Sequence, residues 1–285
     1  MQTLTAAWCD VTVGVQSEMN AKLRDVAVQV AVEAADLART VRDESVTEGS
    51  VGTKSTETDV VTAGDRAVER LVRERLAELR PGDAVLGEEE GGDADLAGLR
   101  WVVDPIDGTV NYLYGYPWYA VSLAAQVDGV SVAGAVVEPV SGRVWSAARG
   151  AGAHVDGLPL RASTCDRLEL ALIGTGFAYS AQRRAAQAAA VARLLGEVRD
   201  IRRSGVASLD LCAVAAGWTD GYYEVGINRW DWAAGALVAE EAGAALRLPT
   251  AEPADGLGTA AVVCAAPALA DKLGAALVRA GAGDV

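Results

Sequence analysis

Histidine is almost absent from this chain of 285 residues, and its scarcity restricts the hydrolytic chemistry that the chain can support. The single histidine, His154, follows the small residues 150–153, which are typical of a loop or a strand edge. We expect a surface or structural role for it. A Ser-His-Asp triad would need that one imidazole in the right place. Any hydrolysis by this chain would therefore have to activate its nucleophile through a metal ion or a carboxylate.

Cysteine is also scarce. The cysteines lie far apart and form no Cys-x-x-Cys pair; they are Cys9, Cys165, Cys212 and Cys264. This spacing argues against a zinc site or a disulfide framework. We expect free, buried thiols in a reducing cytoplasm, and therefore a cytoplasmic protein.

Long hydrophobic runs are missing as well. Apolar stretches such as residues 185–195 are short and carry a charge, here Arg193, whereas a membrane-spanning helix needs about 20 apolar residues. Residues 1–14 have neither a basic segment nor a long apolar segment, so we expect no signal peptide. We predict no membrane partner.

Positive charge is in deficit. Lys and Arg number 25 and Asp and Glu number 39, which gives a formal net charge of −14 and a pI near 4.6. This balance argues against nucleic acid or an anionic membrane as a partner. It also hinders phosphate binding unless a local positive charge is supplied, and a divalent cation held by carboxylates would supply one.

The chain does contain an aliphatic core. Hydrophobic residues make up 51% of the sequence and aromatic residues only 5%, so Ala, Val and Leu fill one large domain or two fused ones. Apolar residues at helical spacing predict a first helix over residues 17–43. They predict a second helix that begins after Thr62 and ends before Pro81.

The two halves of the chain differ in their pattern. The first half is β-rich. A short buried strand is predicted at residues 84–86 and a second buried strand at residues 101–104, and the strands at residues 119–127, 130–138 and 143–148 predict an antiparallel meander. In the second half strands alternate with helices, which indicates an α/β layer. The strands predicted there are 169–173, 198–202, 220–224, 244–248 and 260–264, and the helices are 181–195, 207–216, 231–242 and 267–280. We predict two subdomains, residues 1–160 with most of the candidate metal ligands and residues 161–285 with the substrate side.

The most informative stretch is residues 101–112, Trp-Val-Val-Asp-Pro-Ile-Asp-Gly-Thr-Val-Asn-Tyr. We predict a buried strand that ends at Asp104, a tight loop, and a short helix that starts near Thr109. Such a loop brings both carboxylates and the Ile106 carbonyl towards one point, and these hard oxygen ligands suit Mg²⁺. The alternative is an ordinary Asx-Pro turn in which Asp107 caps the helix.

The start of that helix is a candidate phosphate site. The N–H groups of Gly108 and Thr109 would have no helical acceptor, and a helix N-terminus favours an anion. A metal cage and a phosphate cradle would then lie side by side.

Two further acids have two possible roles each. Adjacent glutamates are usually solvated, but Glu88 follows a predicted strand directly, as Asp104 does, so the two strand ends suggest one shared metal site. Asp65 is either a capping-box carboxylate or an inward-facing acid, and the sequence favours the cap.

Three residues outside these stretches are also candidates. Lys54 is either a solvated side chain or a mobile lysine that reaches an anion. Asp231, between two tryptophans, is by default an N-cap, but in a packed site it would need a positive partner. Glu224 ends a predicted strand.

Taken together, these residues resemble the inositol monophosphatase family of Mg²⁺-dependent phosphatases. The resemblance rests on segments in the family's order, which are residues 54–65, 87–89, 101–111, 205–208, 222–224 and 230–231. It implies an α/β (α+β) fold, a layered α-β-α-β-α sandwich of the sugar phosphatase type. It also implies hydrolysis of a phosphate monoester with two or three Mg²⁺ ions per active site, and a homodimer.

The resemblance implies a role for each acid. Glu88, Asp104 and the Ile106 carbonyl match the ligands of a first metal. Asp104, Asp107 and Asp231 match those of a second, and Glu88 also matches a contributor to a weaker third site.

The catalytic residues that the resemblance implies are Thr109, Asp65 and Glu88. Thr109 and Asp65 match the pair that orients or deprotonates the attacking water. We expect this water near Thr109 and Glu88, in line with the leaving alcohol. Lys54 matches a loop lysine near the metals.

The substrate-binding residues that the resemblance implies are Asp107, Gly108, Thr109, Gly205, Val206, Ala207 and Glu224. Residues 205–207 and Glu224 match the part of the family's site that grips the hydroxyl groups of the alcohol. Val206 stands where many members carry a hydroxyl residue, and Trp232 stands where a smaller apolar residue is common. Val206 therefore leaves the identity of the alcohol open.

The leading substrate is myo-inositol 1-phosphate, because the continuation Asp-Gly-Thr-Val-Asn-Tyr resembles the inositol branch. The alternatives within the class are histidinol phosphate, fructose 1,6-bisphosphate and an aminocyclitol phosphate. From another class, an acidic protein-interaction factor could use the same fold. The intact set of Glu88, Asp104, Asp107 and Asp231 favours the enzyme, because a protein that only binds a partner has no need to keep these carboxylates together.

Overall fold

The computed structural model describes residues 3–46, 51–54, 60–92 and 97–285. The side chain of Cys9, and residues 55–59 of the segment 54–65, lie outside this description. The described helices are α1 (Thr3–Ser45), α2 (Ala63–Leu79), α3 (Thr109–Tyr114), α4 (Ala181–Leu194), α5 (Ala207–Ala215), α6 (Arg229–Glu241) and α7 (Ala270–Ala280). The described strands are β1 (Val51–Thr53), β2 (Val60–Thr62), β3 (Ala84–Gly87), β4 (Leu99–Asp107), β5 (Ala120–Val127), β6 (Val130–Val137), β7 (Val144–Ala148), β8 (Ala153–Val155), β9 (Leu158–Pro159), β10 (Leu172–Thr175), β11 (Asp200–Arg202), β12 (Gly221–Val225), β13 (Ala245–Arg247) and β14 (Ala261–Ala265).

These elements stack in alternating layers of helix and sheet. Helices α1 and α2 cover one face of a seven-stranded sheet of order β3-β4-β5-β6-β7-β8-β9. Helix α6 packs on its other face and against α5, and α5 contacts a five-stranded sheet of order β11-β10-β12-β14-β13. Helices α4 and α7 cover the far face of that second sheet. The predicted α-β-α-β-α sandwich is confirmed.

Strand β4 shows how the sequence builds these layers. Successive side chains of a strand point to opposite faces. Trp101 and Val103 are fully buried against α1 and α2. Val102 lies in the core between the two sheets, which also contains residues of α5 and α6. In the sequence, a strand that is buried on both faces is a continuous run of apolar residues, and residues 101–103 have that pattern.

Strand pairing places the candidate site. Strand β3 runs parallel to β4, with Gly87 opposite Val103, so the two strands end at the same edge of the sheet. The residues that follow these positions, Glu88 and Asp104, therefore lie side by side. In the second sheet, β12 ends at Val225 and brings Glu224 to the facing edge.

Two strand predictions need correction. Residues 168–170 form a 3₁₀ turn in which the Ala171 N–H donates to the Leu168 carbonyl at 3.0 Å, so the strand predicted at 169–173 begins only at Leu172. A short apolar run does not by itself distinguish turn from strand. Strand β3 was expected to be buried, but most of its residues are only partly buried or exposed. The reason is that β3 is the outermost strand in the sheet order. The division into residues 1–160 and 161–285 stays a prediction.

The described histidine and cysteine residues lie on separate segments of the fold. His154 is half-buried on β8. Cys165, Cys212 and Cys264 are free thiols, of which only Cys165 is not fully buried. None of the described helices has an apolar stretch long enough to cross a lipid bilayer.

The contact between α5 and α6 depends on the absence of a side chain at Gly235. A Cβ atom there would lie 2.7 Å from the Ser208 carbonyl oxygen and 3.0 Å from the Leu211 Cβ. We expect Gly235→Ala to lower the free energy of unfolding by about 1–3 kcal/mol, because the helices would have to separate.

The matched control is Gly274→Ala in α7, where nothing lies within 4 Å of an added Cβ. That change should raise stability by about 0.5–1 kcal/mol, since alanine is the better helix former. Urea denaturation of both variants measures the difference. Equal effects at the two positions would contradict the close packing of α5 on α6.

Candidate active site

Residues from both sheets line one cleft with a volume of about 350 Å³. The predicted site residues on its wall are Lys54, Glu88, Asp104, Ile106, Asp107, Gly108, Thr109, Glu224 and Asp231. Asp65 does not line the cleft but accepts a hydrogen bond from Thr109, which does. Residues 205–207 do not line the cleft, so their contact with a substrate stays a prediction.

Strand β4 carries the central motif and continues further than predicted. It runs to Asp107 instead of ending at Asp104, but its pairing with β5 shifts register between these residues. Pro105 has no N–H to donate to the ladder. The Asp104 carboxylate accepts the Ile106 N–H at 3.1 Å, so the Asx turn of the alternative interpretation is present. It coexists with an arrangement in which Asp104, Ile106 and Asp107 all reach the cleft.

Asp107 does not cap α3, contrary to that alternative. The N-cap is Gly108, and no side chain caps the helix. Oδ2 of Asp107 instead accepts the N–H of Ser208 at 2.7 Å and its hydroxyl at 2.5 Å. The role of Ser208 was not predicted from the sequence. The available signal was a hydroxyl residue in the first turn of a predicted helix, within the segment 205–208.

Gly108 is required where α3 approaches α5. Its φ is 92°, and an added Cβ would lie 2.8 Å from Cγ2 of Val206 and 3.3 Å from the Gly205 carbonyl oxygen. Any other residue would be strained and would push the two segments apart. Val206 therefore acts on the site by closing the wall behind Gly108.

Glu69 is a second residue whose role was not predicted from the sequence. Its carboxylate is completely buried in α2 and accepts the N–H groups of Glu89 at 2.8 Å and Glu90 at 3.1 Å. Arg73, one helical turn later, donates to it at 2.9 and 2.8 Å. These bonds fix the turn that carries Glu88. The signal in the sequence was the Glu69-x-x-x-Arg73 spacing of a helical ion pair.

The Glu69 carboxylate also explains why residue 87 is a glycine. A Cβ atom at this position would lie 2.1 Å from a Glu69 carboxylate oxygen. The chain can pass over the buried acid only without a side chain there.

Lys54 forms ion pairs with carboxylates of the protein itself. Its Nζ lies 2.8 Å from Oε1 of Glu88 and 2.5 Å from Oε1 of Glu89. Burial lowers the pKa of Lys54, but the two carboxylates outweigh this effect and raise the pKa above its usual value. The lysine is therefore charged and supplies positive charge to the acidic cleft.

The cleft carboxylates lie close together in a buried site, and both their burial and their mutual repulsion raise their pKa values. Burial, followed by the charges of Glu88, Asp107 and Asp231, raises the pKa of Asp104 well above its usual range. Burial also raises the pKa of Asp231 well above its usual range, and the charge of Asp107 adds to this. The pKa of Glu88 is raised by burial and is partly restored by Lys54. These groups repel one another unless a cation is present.

Asp107 is subject to two opposing effects. Burial raises its pKa to about 7, while the hydrogen bonds from Ser208 act in the opposite direction. Ser208 thus favours the ionised form, which is the form that can bind a cation.

Asp65 has both of the roles that the sequence left open. Its Oδ2 accepts the Thr62 N–H at 2.8 Å and the Thr62 hydroxyl at 2.6 Å, and this closes the capping box of α2. Its Oδ1 lies 3.2 Å from the Thr109 hydroxyl, which is also 3.1 Å from the Ile106 carbonyl oxygen. Burial raises the pKa of Asp65, so its carboxylate is a stronger base than an exposed one.

Glu224 faces the other carboxylates from β12. The Tyr222 hydroxyl donates to its Oε2 at 2.7 Å, and this leaves Oε1 available to a ligand. Burial raises the pKa of Glu224. An added Cβ at Gly176 would lie 2.0 Å from Oε2, so the residue that directly follows β10 must be a glycine.

Asp231 is not the N-cap of α6. The cap is Asn228, and Asp231 lies in the first turn, where its Oδ2 accepts the Asn228 N–H at 2.5 Å. Trp230 lines the cleft beside it. Trp232 is buried, and the Arg229 guanidinium lies 5.5 Å from the centre of its ring.

The donor set fits a hard divalent cation in its chemistry. It consists of carboxylates and one backbone carbonyl, and the raised pKa values show a repulsion that such a cation would relieve. In the part of the chain that the structure describes, no set of three or more His, Cys, Asp or Glu side chains already has the arrangement of a metal cage. Glu88 is turned to Lys54 and Asp107 to Ser208.

Comparison with known proteins identifies the family of the chain. The model of the inositol monophosphatase family matches residues 19–282. Inositol-1-monophosphatase of Mycobacterium leprae is 57% identical over 275 residues, which cover 90% of this chain and 94% of that protein. The solved structure of Mycobacterium tuberculosis SuhB is 48% identical, with a TM-score of 0.78 over 92% of this chain and 98% of that one.

A more distant relative has a different name. Nus factor SuhB of Escherichia coli strain K12 is 38% identical over 190 residues, which cover 65% of this chain and 70% of that protein. The match of the family model and of the mycobacterial relatives extends over most of the chain. The chain belongs to the inositol monophosphatase family and is a phosphoric monoester hydrolase.

Proposed function

We propose that this protein is a Mg²⁺-dependent phosphatase that hydrolyses a small polyol phosphate, with myo-inositol 1-phosphate as the leading substrate. The observation that carries the proposal is the convergence of Glu88, Asp104, Asp107 and Asp231 on one cleft that also contains the Thr109 hydroxyl. The printed names of the mycobacterial relatives support the choice of inositol.

Mg²⁺ would be held by Glu88, Asp104, Asp107, Asp231 and the Ile106 carbonyl, with two or three ions per site. When bound, it neutralises phosphate oxygens, lowers the pKa of water and stabilises the leaving alkoxide. Every ligand in this set is a hard oxygen donor, which suits Mg²⁺ better than softer metals.

Thr109 and Asp65 handle the proton of the attacking water. The Thr109 hydroxyl donates towards Asp65 and the Ile106 carbonyl, so its oxygen can accept a hydrogen bond from water. The water proton passes to the Thr109 oxygen while the hydroxyl proton moves to Asp65. The burial that raises the pKa of Asp65 makes this transfer more favourable.

The remaining residues bind and orient the substrate. The first N–H groups of α3, from Gly108 and Thr109, have no acceptor within the helix and can donate to phosphate oxygens. The free oxygen of Glu224 accepts a hydroxyl of the polyol. Residues 205–207 support this wall from behind.

A protein-interaction role is the second candidate, and the name of the Escherichia coli relative is its support. The retained carboxylates favour the enzyme, because binding alone would not require so costly a cluster of buried acids. We also propose that the protein is a cytoplasmic homodimer.

Asp107→Asn tests the assignment of the metal ligands. We expect phosphate release from myo-inositol 1-phosphate to fall by about 100-fold or more, because the amide no longer supplies a charged ligand. Removal of divalent ions should abolish turnover by the native enzyme, and added Mg²⁺ should restore it. The control is Asp166→Asn, since Asp166 is exposed and lies outside the cleft. Near-normal turnover by Asp107→Asn would overturn the assignment.

Glu69→Gln tests the support of Glu88. We expect the Mg²⁺ concentration for half-maximal activity to rise by about 10-fold, because the turn that carries Glu88 loses its charged acceptor. The matched control is Glu74→Gln, an exposed position on the same helix. A variant that is less stable but keeps the native Mg²⁺ dependence would show that Glu69 has only a structural role.

A further inference from the structure

Asp107 differs from the other aspartates of the cleft in how its carboxylate is bonded. Asp104 and Asp231 each accept one main-chain N–H on one oxygen. Asp107 accepts two donors on a single oxygen, because the N–H and the hydroxyl of Ser208 lie 2.7 and 2.5 Å from its Oδ2. The second of these donors comes from a side chain, so a substitution can remove it without disturbing the main chain.

The two donors occupy Oδ2 of Asp107 and leave Oδ1 to the cleft. A carboxylate oxygen offers about two positions at which it can accept a hydrogen bond or bind a cation, and on Oδ2 both positions are taken. In the described parts of the chain no donor bonds to Oδ1, and Asp107 lines the cleft. Asp107 therefore presents one oxygen, and not two, to a ligand in the cleft.

The donors of Ser208 are held rigidly at the start of α5. Ser208 is the second residue of that helix, so its N–H has no acceptor within the helix, and its side chain is completely buried. The start of α5 is packed closely on two sides. An added Cβ would lie 2.8 Å from Cγ2 of Val206 if placed on Gly108, and 2.7 Å from the Ser208 carbonyl oxygen if placed on Gly235. A withdrawal of Ser208 from Asp107 would have to break these contacts.

We propose that Ser208 is a positioning residue that restricts Asp107 to binding a cation through one oxygen, and that this restriction favours Mg²⁺ over Ca²⁺ in the cleft. The inference rests on the proposed function, in which Asp107 holds Mg²⁺. Mg²⁺ is small and requires near-ideal octahedral geometry, whereas the larger Ca²⁺ takes more oxygen ligands and accepts both oxygens of one carboxylate. Ser208 does not line the cleft, so it acts only through Asp107.

A purely structural role for Ser208 is the competing explanation. Its bonds to Asp107 join α5 to β4 and could serve only to hold these two elements together. The two roles differ in one measurable respect. Loss of a structural bond weakens the binding of both cations to a similar extent, whereas loss of the restriction on Asp107 changes the ratio of the two affinities.

The test measures the binding of both cations to metal-free protein, without substrate, by electron paramagnetic resonance of Mn²⁺. Increasing Mg²⁺ or Ca²⁺ displaces the bound Mn²⁺, and the ratio of the two half-displacing concentrations reports the selectivity. In Ser208→Ala we expect the dissociation constant for Mg²⁺ to rise by about 10-fold, because Asp107 loses a donor that orients it. The constant for Ca²⁺ should not rise, because Oδ2 becomes available as a second ligand atom.

The matched control is Ser131→Ala. Ser131 is also buried, and its hydroxyl donates to the carbonyl oxygen of Ala233 at 2.8 Å, so this variant also loses a bond between a strand and a helix. The ratio of the half-displacing concentrations should stay at the native value. Alanine is the smaller side chain and the better helix former at position 208, so we expect Ser208→Ala to fold.

Each outcome decides the proposal. A shift of the ratio towards Ca²⁺ in Ser208→Ala alone supports it. A ratio that is unchanged or moves towards Mg²⁺ overturns it, and an equal shift in Ser131→Ala overturns it as well, because loosened packing would then be the cause. Mg²⁺-dependent phosphate release by the native protein together with an unchanged ratio leaves the proposed function intact. A native protein that binds no Mn²⁺ overturns both.

Discussion

The mutual repulsion of buried carboxylates is the constraint on which the rest of this structure depends. The charges of Asp107 and Asp231 raise the pKa of Asp104, and the charge of Asp107 raises that of Asp231. Such a cluster persists only if each acid is fastened by other bonds and if a cation can bind between them. The supporting residues Ser208, Glu69 and Asn228 provide the fastening. Ser208 donates to Asp107, the Asn228 N–H donates to Asp231, and Glu69 accepts an N–H of the turn that carries Glu88.

The layered fold is what brings these acids together. Strand β3 ends opposite Val103 of β4, which places Glu88 beside Asp104, and β12 lies in the second sheet. Asn111 joins the two halves, because its side-chain amide donates to the carbonyl of Trp118 at 2.8 Å and to that of Ser204 at 3.0 Å. Close contacts at Gly108 and Gly235 keep α5 tight against both neighbours. The packing of the central helices therefore determines how far apart the acids of the two sheets lie.

Much of this arrangement could be predicted from the sequence, since it depends on local patterns. Apolar periodicity located the helices, although α1 begins at Thr3 and not at the predicted residue 17. The run that ends in Asp104 located the buried central strand. The positions of Glu88 and Asp104 after two strands were enough to predict that they meet. Lys54 contacts the carboxylates of Glu88 and Glu89, which lie 34 and 35 residues away in the sequence, and its role as a loop lysine near bound metals stays a prediction. The residues of the wall at 205–207 remain untested.

The supporting residues could not be predicted, because their role depends on long-range contacts. Ser208 meets an acid 101 residues earlier in the chain, and nothing near it in the sequence identifies that partner. From the sequence, Asp107 could equally be the N-cap of α3. In the structure its carboxylate is bonded to Ser208 of α5 and does not cap α3. Asp65 shows the opposite case. Its two possible positions, in the capping box and facing inward, are compatible. One carboxylate oxygen accepts from Thr62 in the capping box, and the other accepts from Thr109.

The most direct test of the central claim is an experimental structure of the protein grown with Mn²⁺, a Mg²⁺ substitute that is visible by anomalous scattering. The account predicts anomalous peaks between Glu88, Asp104, Asp107 and Asp231, with the Lys54 ammonium displaced from Glu88. Peaks at other positions, or a cleft without metal in which Lys54 still bridges Glu88 and Glu89 at saturating Mn²⁺, would contradict it.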